Sequence, residues 1–311
     1  MRDKTIRKEN TQYEIERHDA KKTSKKAFTR FILKFGRKYL PSYLFSYILF
    51  VRYFNKFKRE IKKNKSTVKF SKNLDHINNF EFKLTSQNNE DGIIEHIFSK
   101  IPNKKNFVEV GFGFYEFNAL NLIKNGWEGK LIDFDKDECL VLSRLLNFFY
   151  PKSKVQILNK AVFKDNINEL VYSKANSEEI DFFSLDIDGN DYWVLKELNT
   201  DKIKVICCEY NHYFGNNIKI TIPYNPNHIF KNDGCHGASL HAFHELLKSK
   251  GFSLVAIESS GTNAFFVKNE FAKEFEILSP SKSWRGVDIH NTIKQIEFIK
   301  SSIKNFKFEQ L

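Results

Sequence analysis

What is scarce in this chain narrows its class before any motif is read. Only four cysteines occur in 311 residues. They stand at 139, 207, 208 and 235 with no C-x-x-C pair, so neither a zinc ribbon nor a thioredoxin-like redox site is supported. A large chain this poor in cysteine has no disulfide framework and fits a reducing compartment. No uncharged apolar run reaches the roughly 20 residues that span a bilayer. From Met1 to Lys26 the text is polar and charged throughout, so no signal peptide is expected there. Acidic residues are scarce only near the start: the first 65 positions carry 20 Lys and Arg against 6 Asp and Glu, and the remainder carries 30 against 32. The formal charge of +12 is therefore misleading. The body is neutral and only an N-terminal arm is basic, which argues against a nucleic-acid-binding surface over the whole chain. Hydrophobic residues make up 41% and aromatics 15%, enough to bury a core, so wholesale disorder is excluded.

The arm changes composition after its charged segment 1–26. An apolar run, Phe28-Thr-Arg-Phe-Ile-Leu-Lys-Phe, is followed by Tyr39-Leu-Pro-Ser-Tyr-Leu-Phe-Ser-Tyr-Ile-Leu-Phe-Val51, and no charge falls between Lys38 and Arg52. Basic residues flank this window (Arg37, Lys38, Arg52, Lys56, Lys58 and Arg59), and its interior is rich in Tyr and Phe. Such a segment suits a helix lying in a membrane interface, with Phe45, Ile48 and Leu49 beneath the headgroups. It equally suits a helix packed on the body or on another subunit.

After a linker of weak strand character at 66–85, short apolar runs alternate with helical patterns, as in a βαβ array. Strands are predicted at Phe107–Val110, Lys130–Phe134, Val155–Leu158, Ile180–Ile187, Lys204–Cys208, Ser253–Ile257 and Ala264–Val267. Helices are predicted at Glu90–Lys100, Phe117–Asn125, Lys136–Phe149, Asp191–Leu198 and Ser239–Lys250, the last closed by Gly251. Adjacent Cys207 and Cys208 should point to opposite faces of their strand. The result is a doubly wound α/β sheet.

Chemistry-bearing residues gather at the predicted strand ends. The first strand runs Asn106-Phe-Val-Glu-Val-Gly-Phe-Gly-Phe-Tyr-Glu116. An acid ending a strand before a Gly-x-Gly turn lets backbone approach a nucleotide-like ligand, although such a turn also serves tight packing. No Lys-Ser/Thr follows, which excludes a P-loop, and Tyr115 occupies the third glycine position, against a dinucleotide pyrophosphate there. The second strand ends Leu131-Ile-Asp-Phe-Asp135; Asp135, or Asp133 one pleat earlier, could accept ribose hydroxyls, and Asp135 could instead cap the next helix. The fourth strand reads Ile180-Asp-Phe-Phe-Ser-Leu-Asp-Ile-Asp-Gly-Asn-Asp-Tyr-Trp193. Asp186 and Asp188 at its tip could orient a cationic cofactor, hold magnesium or manganese, or take a proton, while Asp191 suits a cap. Cys207-Cys-Glu-Tyr-Asn-His212 puts Glu209 and His212 on the same rim, with His212 a candidate general base. His241 and His244 share one helical face near Cys235 and His236, but no standard zinc spacing completes them. They read as surface or packing residues.

In this order and spacing, the glycine turn, the acid of the second strand, the D-x-D-G-x-D strand and the E-x-N strand resemble the class I S-adenosylmethionine-dependent methyltransferases. The resemblance is narrower to the FkbM-type group and its bacterial relatives. It is carried by Ser86-Gln-Asn-Asn-Glu-Asp-Gly-Ile, Phe107-Val-Glu-Val-Gly-Phe-Gly, Leu185-Asp-Ile-Asp-Gly-Asn-Asp-Tyr, Gly237-Ala-Ser-Leu-His-Ala-Phe-His-Glu-Leu and Gly261-Thr-Asn-Ala-Phe-Phe-Val. It spans roughly residues 84–270. It implies a Rossmann-like methyltransferase fold with a mostly parallel seven-stranded sheet; the basic helical N-terminal extension, read from composition, lies outside it. The expected divisions are an arm and linker at 1–83, the methyltransferase-like domain at 84–270 and a helical tail at 271–311. It also implies S-adenosylmethionine as cofactor. Glu109, Gly111 and Gly113 would hold its amino-acid moiety and Asp135, with Asp133 beside it, its ribose. Gln87 and Asp91 would close over the methionine end, Asp186 would face the cofactor, and Ala161 would border the adenine. Asp188, Glu209 and His212 would serve the acceptor hydroxyl, Asp188 and Glu209 doubling as metal candidates. The acceptor expected by analogy is a bacterial surface glycan or its lipid- or nucleotide-linked precursor. The protein would be cytoplasmic and peripheral at the inner membrane face through residues 27–60, with oligomers allowed. No specific nucleic acid is expected, since the chain lacks an Asn/Asp-Pro-Pro-Tyr motif. The competing expectation is an inactive methyltransferase-like protein that binds a membrane or a partner, consistent with Tyr115.

Overall fold

The computed structural model describes residues 39–63, 66–67, 76–172, 179–286 and 293–311. The charged segment 1–26 and the apolar run from Phe28 lie outside the described residues. The chain divides into two compact units, residues 1–52 and residues 53–311.

The larger unit is built on a seven-stranded sheet. Its strands are β1 (Asn106–Val110), β2 (Glu128–Asp133), β3 (Val155–Asn159), β4 (Ile180–Leu185), β5 (Ile203–Glu209), β6 (Phe252–Ile257) and β7 (Asn263–Lys268). They lie in the order β3-β2-β1-β4-β5-β7-β6. The first five are parallel, and β7 runs antiparallel to both β5 and β6. This is the doubly wound, mostly parallel α/β sheet that the sequence pattern predicts, and each strand falls within two residues of its expected limits.

Strands covered on both faces read as near-continuous apolar runs and are buried along their length. Accordingly β4, Ile-Asp-Phe-Phe-Ser-Leu, is buried at every position. One face joins Val108, Val110, Phe183, Leu185, Ile206, Cys208 and Phe266 in a single core with side chains of the helices that follow β4 and precede β6. On the other face Phe182 meets Phe98 edge-on, and Cys207 lies beside Asn118. The two cysteines thus divide between the faces, as strand geometry requires.

The helices are α1 (Ser42–Glu60), α2 (Glu90–Lys100), α3 (Ala119–Lys124), α4 (Lys136–Phe149), α5 (Ile167–Tyr172), α6 (Asp191–Glu197) and α7 (Leu240–Ser249), with a later one at Ile293–Asn305. Local chemistry fixes several ends. Asp135 caps α4 by accepting from the amides of Asp137 at 2.8 Å and Glu138 at 3.1 Å, and both those acidic residues sit at the positive helix end. Ser239 caps α7 through the amide of Ala242, and Gly251 beyond it takes φ +84, the left-handed turn that favours glycine. The six-residue helix α5, which the sequence pattern did not predict, offers its last carbonyls to the buried Lys130 ammonium.

The body extends past both limits expected from sequence. Asn78 donates to the Ile257 carbonyl at 2.8 Å, and Glu81 accepts from the Ser259 amide at 2.9 Å. At the other end Leu278 donates to Leu254, Tyr210 donates to the Arg285 carbonyl, and Glu309–Gln310 pairs with Ile220–Thr221. Residues 76–83 and the described parts of the tail are therefore parts of the folded unit.

Candidate active site

Strand order reverses at β1: β2 and β3 lie to one side of it, β4 and β5 to the other. Open α/β sheets bind ligands at such a switch, beyond the carboxyl ends of the strands. Gly111, Asp133, Asp186 and Glu209 stand at the ends of β1, β2, β4 and β5. Gly111 adopts φ +80, and a Cβ there would lie 1.6 Å from the Asp186 carbonyl oxygen. Close backbone approach between the first turn and the tip of β4 thus demands glycine. Gly113 is under less constraint, since a Cβ would come 3.2 Å from the Glu116 carbonyl oxygen.

The acids of the first two strands act on this turn. Glu109 is buried and accepts from the amides of Asn118 at 2.9 Å and Ala119 at 2.7 Å, so it holds the start of α3. Burial pushes its carboxyl up to about 8 against those two hydrogen bonds. Asp133 accepts from the Asp135 amide at 2.6 Å and, through its other oxygen, from the Phe112 amide at 3.4 Å. It fastens the glycine turn to the tip of β2, and burial raises its carboxyl above the ordinary range. Of the two roles left open for Asp135, the structure displays the helix cap. Asp133 is the acid that faces the turn.

Across the switch lies a group of carboxylates. Asp186 and Glu209 interact directly; burial first, then the charges of Asp188 and Asp191, raises Asp186, and burial first, then the charges of Asp186, Asp188 and Asp191, raises Glu209. Asp186 rises to about 8, and Glu209 stands well above the carboxylate range. Asp188 keeps access to solvent and rises less, to about 6, through burial and the neighbouring Asp191. It takes φ +52, a left-handed conformation that Asp tolerates better than most residues. Asp191 accepts from the amides of Ile187 and Gly189, both at 2.8 Å, and so closes the loop that presents Asp188. Its role is to shape that loop.

Histidines reach the same rim from the long connection between β5 and α7. Asn190 and Asn225 exchange hydrogen bonds, Trp193 donates to the Ile222 carbonyl, and Gly237 donates to the Gly189 carbonyl at 3.0 Å. These ties fold residues 222–237 onto the β4 loop. His236 thereby comes near Asp188 and Glu209: one ligand-type atom from each of the three lies within 4.8 Å of the others. Burial, reinforced by His212 and His228, lowers His236 to about 4 and keeps its imidazole neutral at physiological pH. His228 packs against Gly189. His212 opens the turn after β5 with its ring 4.1 Å from that of Tyr213. Sequence reasoning named Asp188, Glu209 and His212 here, and placed His236 only in a second histidine set with His241 and His244. No local signal shows that a connection of this length folds back. His241 and His244 bond instead to Ser281 and Glu245, consistent with packing or surface roles.

Three expected cofactor contacts have other work. Asp91 is buried, with one carboxylate oxygen taken by the amides of Leu84, Thr85 and Ser86 at 2.7–2.9 Å; it shapes that turn. Gln87 is exposed, and its carbonyl accepts from Lys83. Ala161 is exposed just past β3, its carbonyl accepting from Asn166. A cavity of about 320 Å³ lies between α2 and α3, lined by Phe98, Asn118, Asn121, Asn125 and Trp127 among others. None of the four strand-tip residues lines it.

The second half of α1 covers the glycine turn. Tyr53 stacks on Phe114 at 4.0 Å between centroids and on Tyr115 at 5.8 Å, and Lys56 lies 4.9 Å above the Tyr115 ring. Phe57 is fully buried, 5.4 Å from Phe149. From Tyr53 onward, the aromatic arm is a packing element of the body. Tyr115 in the third glycine position is the residue on which it rests.

No protein-family model and no curated protein sequence matches the chain. It is similar to solved structures of S-adenosylmethionine-dependent methyltransferases. One is such an enzyme from Clostridium acetobutylicum, at 11% identity over 58% of this chain and 90% of that one, with a TM-score of 0.39. Another is the N-terminal domain of EvdMO1 with S-adenosylhomocysteine bound, at 10% identity over 70% and 94%, TM-score 0.39. A third is magnesium protoporphyrin IX methyltransferase from Synechocystis with S-adenosylmethionine bound, at 9% identity over 72% and 96%, TM-score 0.36.

Proposed function

We propose that the chain is an S-adenosylmethionine-dependent methyltransferase of FkbM-like type, directed at a hydroxyl of a bacterial surface glycan or its precursor. One observation carries the reading: the glycine turn, Asp133 and the Asp186–Glu209 pair meet at the switch point, with no Lys or Arg among the described residues in ion-pair contact with Asp133, Asp186, Asp188 or Glu209. Carboxylates gathered at one rim without a counter-charge favour a cationic ligand. When bound, S-adenosylmethionine supplies a sulfonium methyl group as electrophile. Gly111 would admit its close approach to backbone, Asp133 would accept from ribose, and Asp186 would face its positive end. The methyl group would go to the acceptor hydroxyl, and the role left to the chain's own residues would be to take up that hydroxyl's proton. Asp188, Glu209 and His212 stand on the rim as the candidate acceptors of that proton. Much of the rate would come from holding hydroxyl and methyl in line.

The basic arm, with the exposed apolar stripe on the first half of α1, supports docking at an anionic membrane, where lipid-linked acceptors lie. A second reading, an inactive binding module, is favoured by one observation, the stacking of Tyr53 and Lys56 over Phe114 and Tyr115. Calorimetric titration with S-adenosylmethionine and S-adenosylhomocysteine separates the two. Binding is expected, weakened by roughly 1.5–3 kcal/mol in Asp133→Ala and less in Asp135→Ala. No heat from either ligand would leave the binding-module reading. The reverse ranking of the two variants would return the ribose site to Asp135.

A further inference from the structure

We infer that Asp188, Glu209 and His236 form a binding site for a divalent ion of the first transition row, preferring manganese to magnesium. Three separate segments supply these groups: the loop after β4, the end of β5 and the connection that precedes α7. One ligand-type atom from each lies within 4.8 Å of the others. Around an ion bonded at about 2.1 Å, ligand atoms stand about 3–4.2 Å apart. An inward adjustment of these side chains brings the three atoms into that range. The fold holds the three together: Gly237 donates to Gly189, and Asn190 and Asn225 are joined in both directions.

A second observation is independent of the triad. His228 Nε2 is buried without a hydrogen-bond partner, on a ring packed against Gly189 beside Asp188. A buried imidazole nitrogen left this way calls for a ligand or an ordered water. A ligand set of two carboxylates and an imidazole matches manganese, iron or zinc better than magnesium, which favours oxygen alone.

The inference deepens the proposed transferase reading by placing a Lewis acid beside the acceptor hydroxyl, whose proton would then pass to His212. It is tested on binding alone. Manganese is added to the full chain and the free ion read by electron paramagnetic resonance, with magnesium as competitor. S-adenosylmethionine binding is measured in parallel. One manganese per chain is expected, held roughly tenfold or more tighter than magnesium. His236→Gln should weaken manganese roughly 10–100-fold and erase the preference. Asp188→Asn keeps a residue type that tolerates the left-handed backbone and should weaken both ions. Thermal melting reports whether each variant folds; if His236→Gln does not, Asp188→Asn decides. Manganese that stays free with the wild type, or binds a folded variant unchanged, overturns the site. Manganese binding without S-adenosylmethionine binding refutes the transferase reading and sustains this one, and the converse refutes this one alone.

Discussion

Glu90 and Glu109 are carboxyl groups held out of water on the sheet's open end. Burial, with Glu258 beside it, raises Glu90 to about 7; burial raises Glu109 to about 8. In the unfolded chain both return to about 4.5. Below that value folded and unfolded states are both protonated, and the contribution of these groups is fully present. As pH rises toward 7 and 8 the unfolded chain has released protons that the folded chain still binds, so stability falls across that window. The melting temperature of the ligand-free protein should decline from pH 5 to pH 8, and Glu90→Gln should flatten the decline. A rise over that range, or an unchanged slope in the variant, would show that these burials do not govern stability. At this scale the sequence was legible where a residue's partner is a neighbour in the chain. The cap role of Asp135 and the loop role of Asp191 depend on amides two to four residues away. The contact of His236 with Glu209 depends on a connection folding over the sheet, and Asp91 looked like a ligand contact because its partners at 84–86 precede its helix.

Helix limits behave likewise. The limits of α2 and α4 fall at the predicted residues, and at α4 the Asp135 cap fixes the start. The role of α1 (Ser42–Glu60) was open between membrane and body, since an aromatic, basic segment satisfies either. Packing decides it for the second half: Phe57 is fully buried, Phe54 meets Phe148 and Phe149 at 5.1 Å, and Tyr53 covers Phe114. Phe57→Ala should cost about 3–5 kcal/mol in chemical denaturation, the range for deleting a buried aromatic ring. A cost below about 1 kcal/mol would mean that the helix lies loosely on the body. Because the same helix covers the glycine turn, Tyr53→Ala should change cofactor affinity more than stability.

For the whole molecule, alternating apolar runs specified the sheet because parallel strands buried on both faces leave a strong periodic signal. Which surface meets other bodies is a different matter, since an apolar helical stripe reads the same in sequence whether it faces the core or another body. On the first half of α1, Phe45, Ser46 and Leu49 are buried, which removes Phe45 and Leu49 from the expected membrane face. Leu44, Tyr47, Ile48 and Val51 are 38–59% exposed and recur at i, i+3, i+4 and i+7, one stripe about 100° wide. No described helix is long and apolar enough to cross a membrane, so the proposed docking is interfacial. Among the first 65 residues, 20 are basic, and each near an anionic leaflet contributes about 1 kcal/mol, screened by salt. The full chain should sediment with phosphatidylserine-containing vesicles at low ionic strength and be released as salt is raised. Replacing Tyr47, Ile48 and Val51 together by serine leaves the buried face intact, so the fold should persist while sedimentation falls. Retention in the supernatant at low salt would make the stripe a contact for protein. Unchanged sedimentation of the triple variant would assign the binding to charge alone.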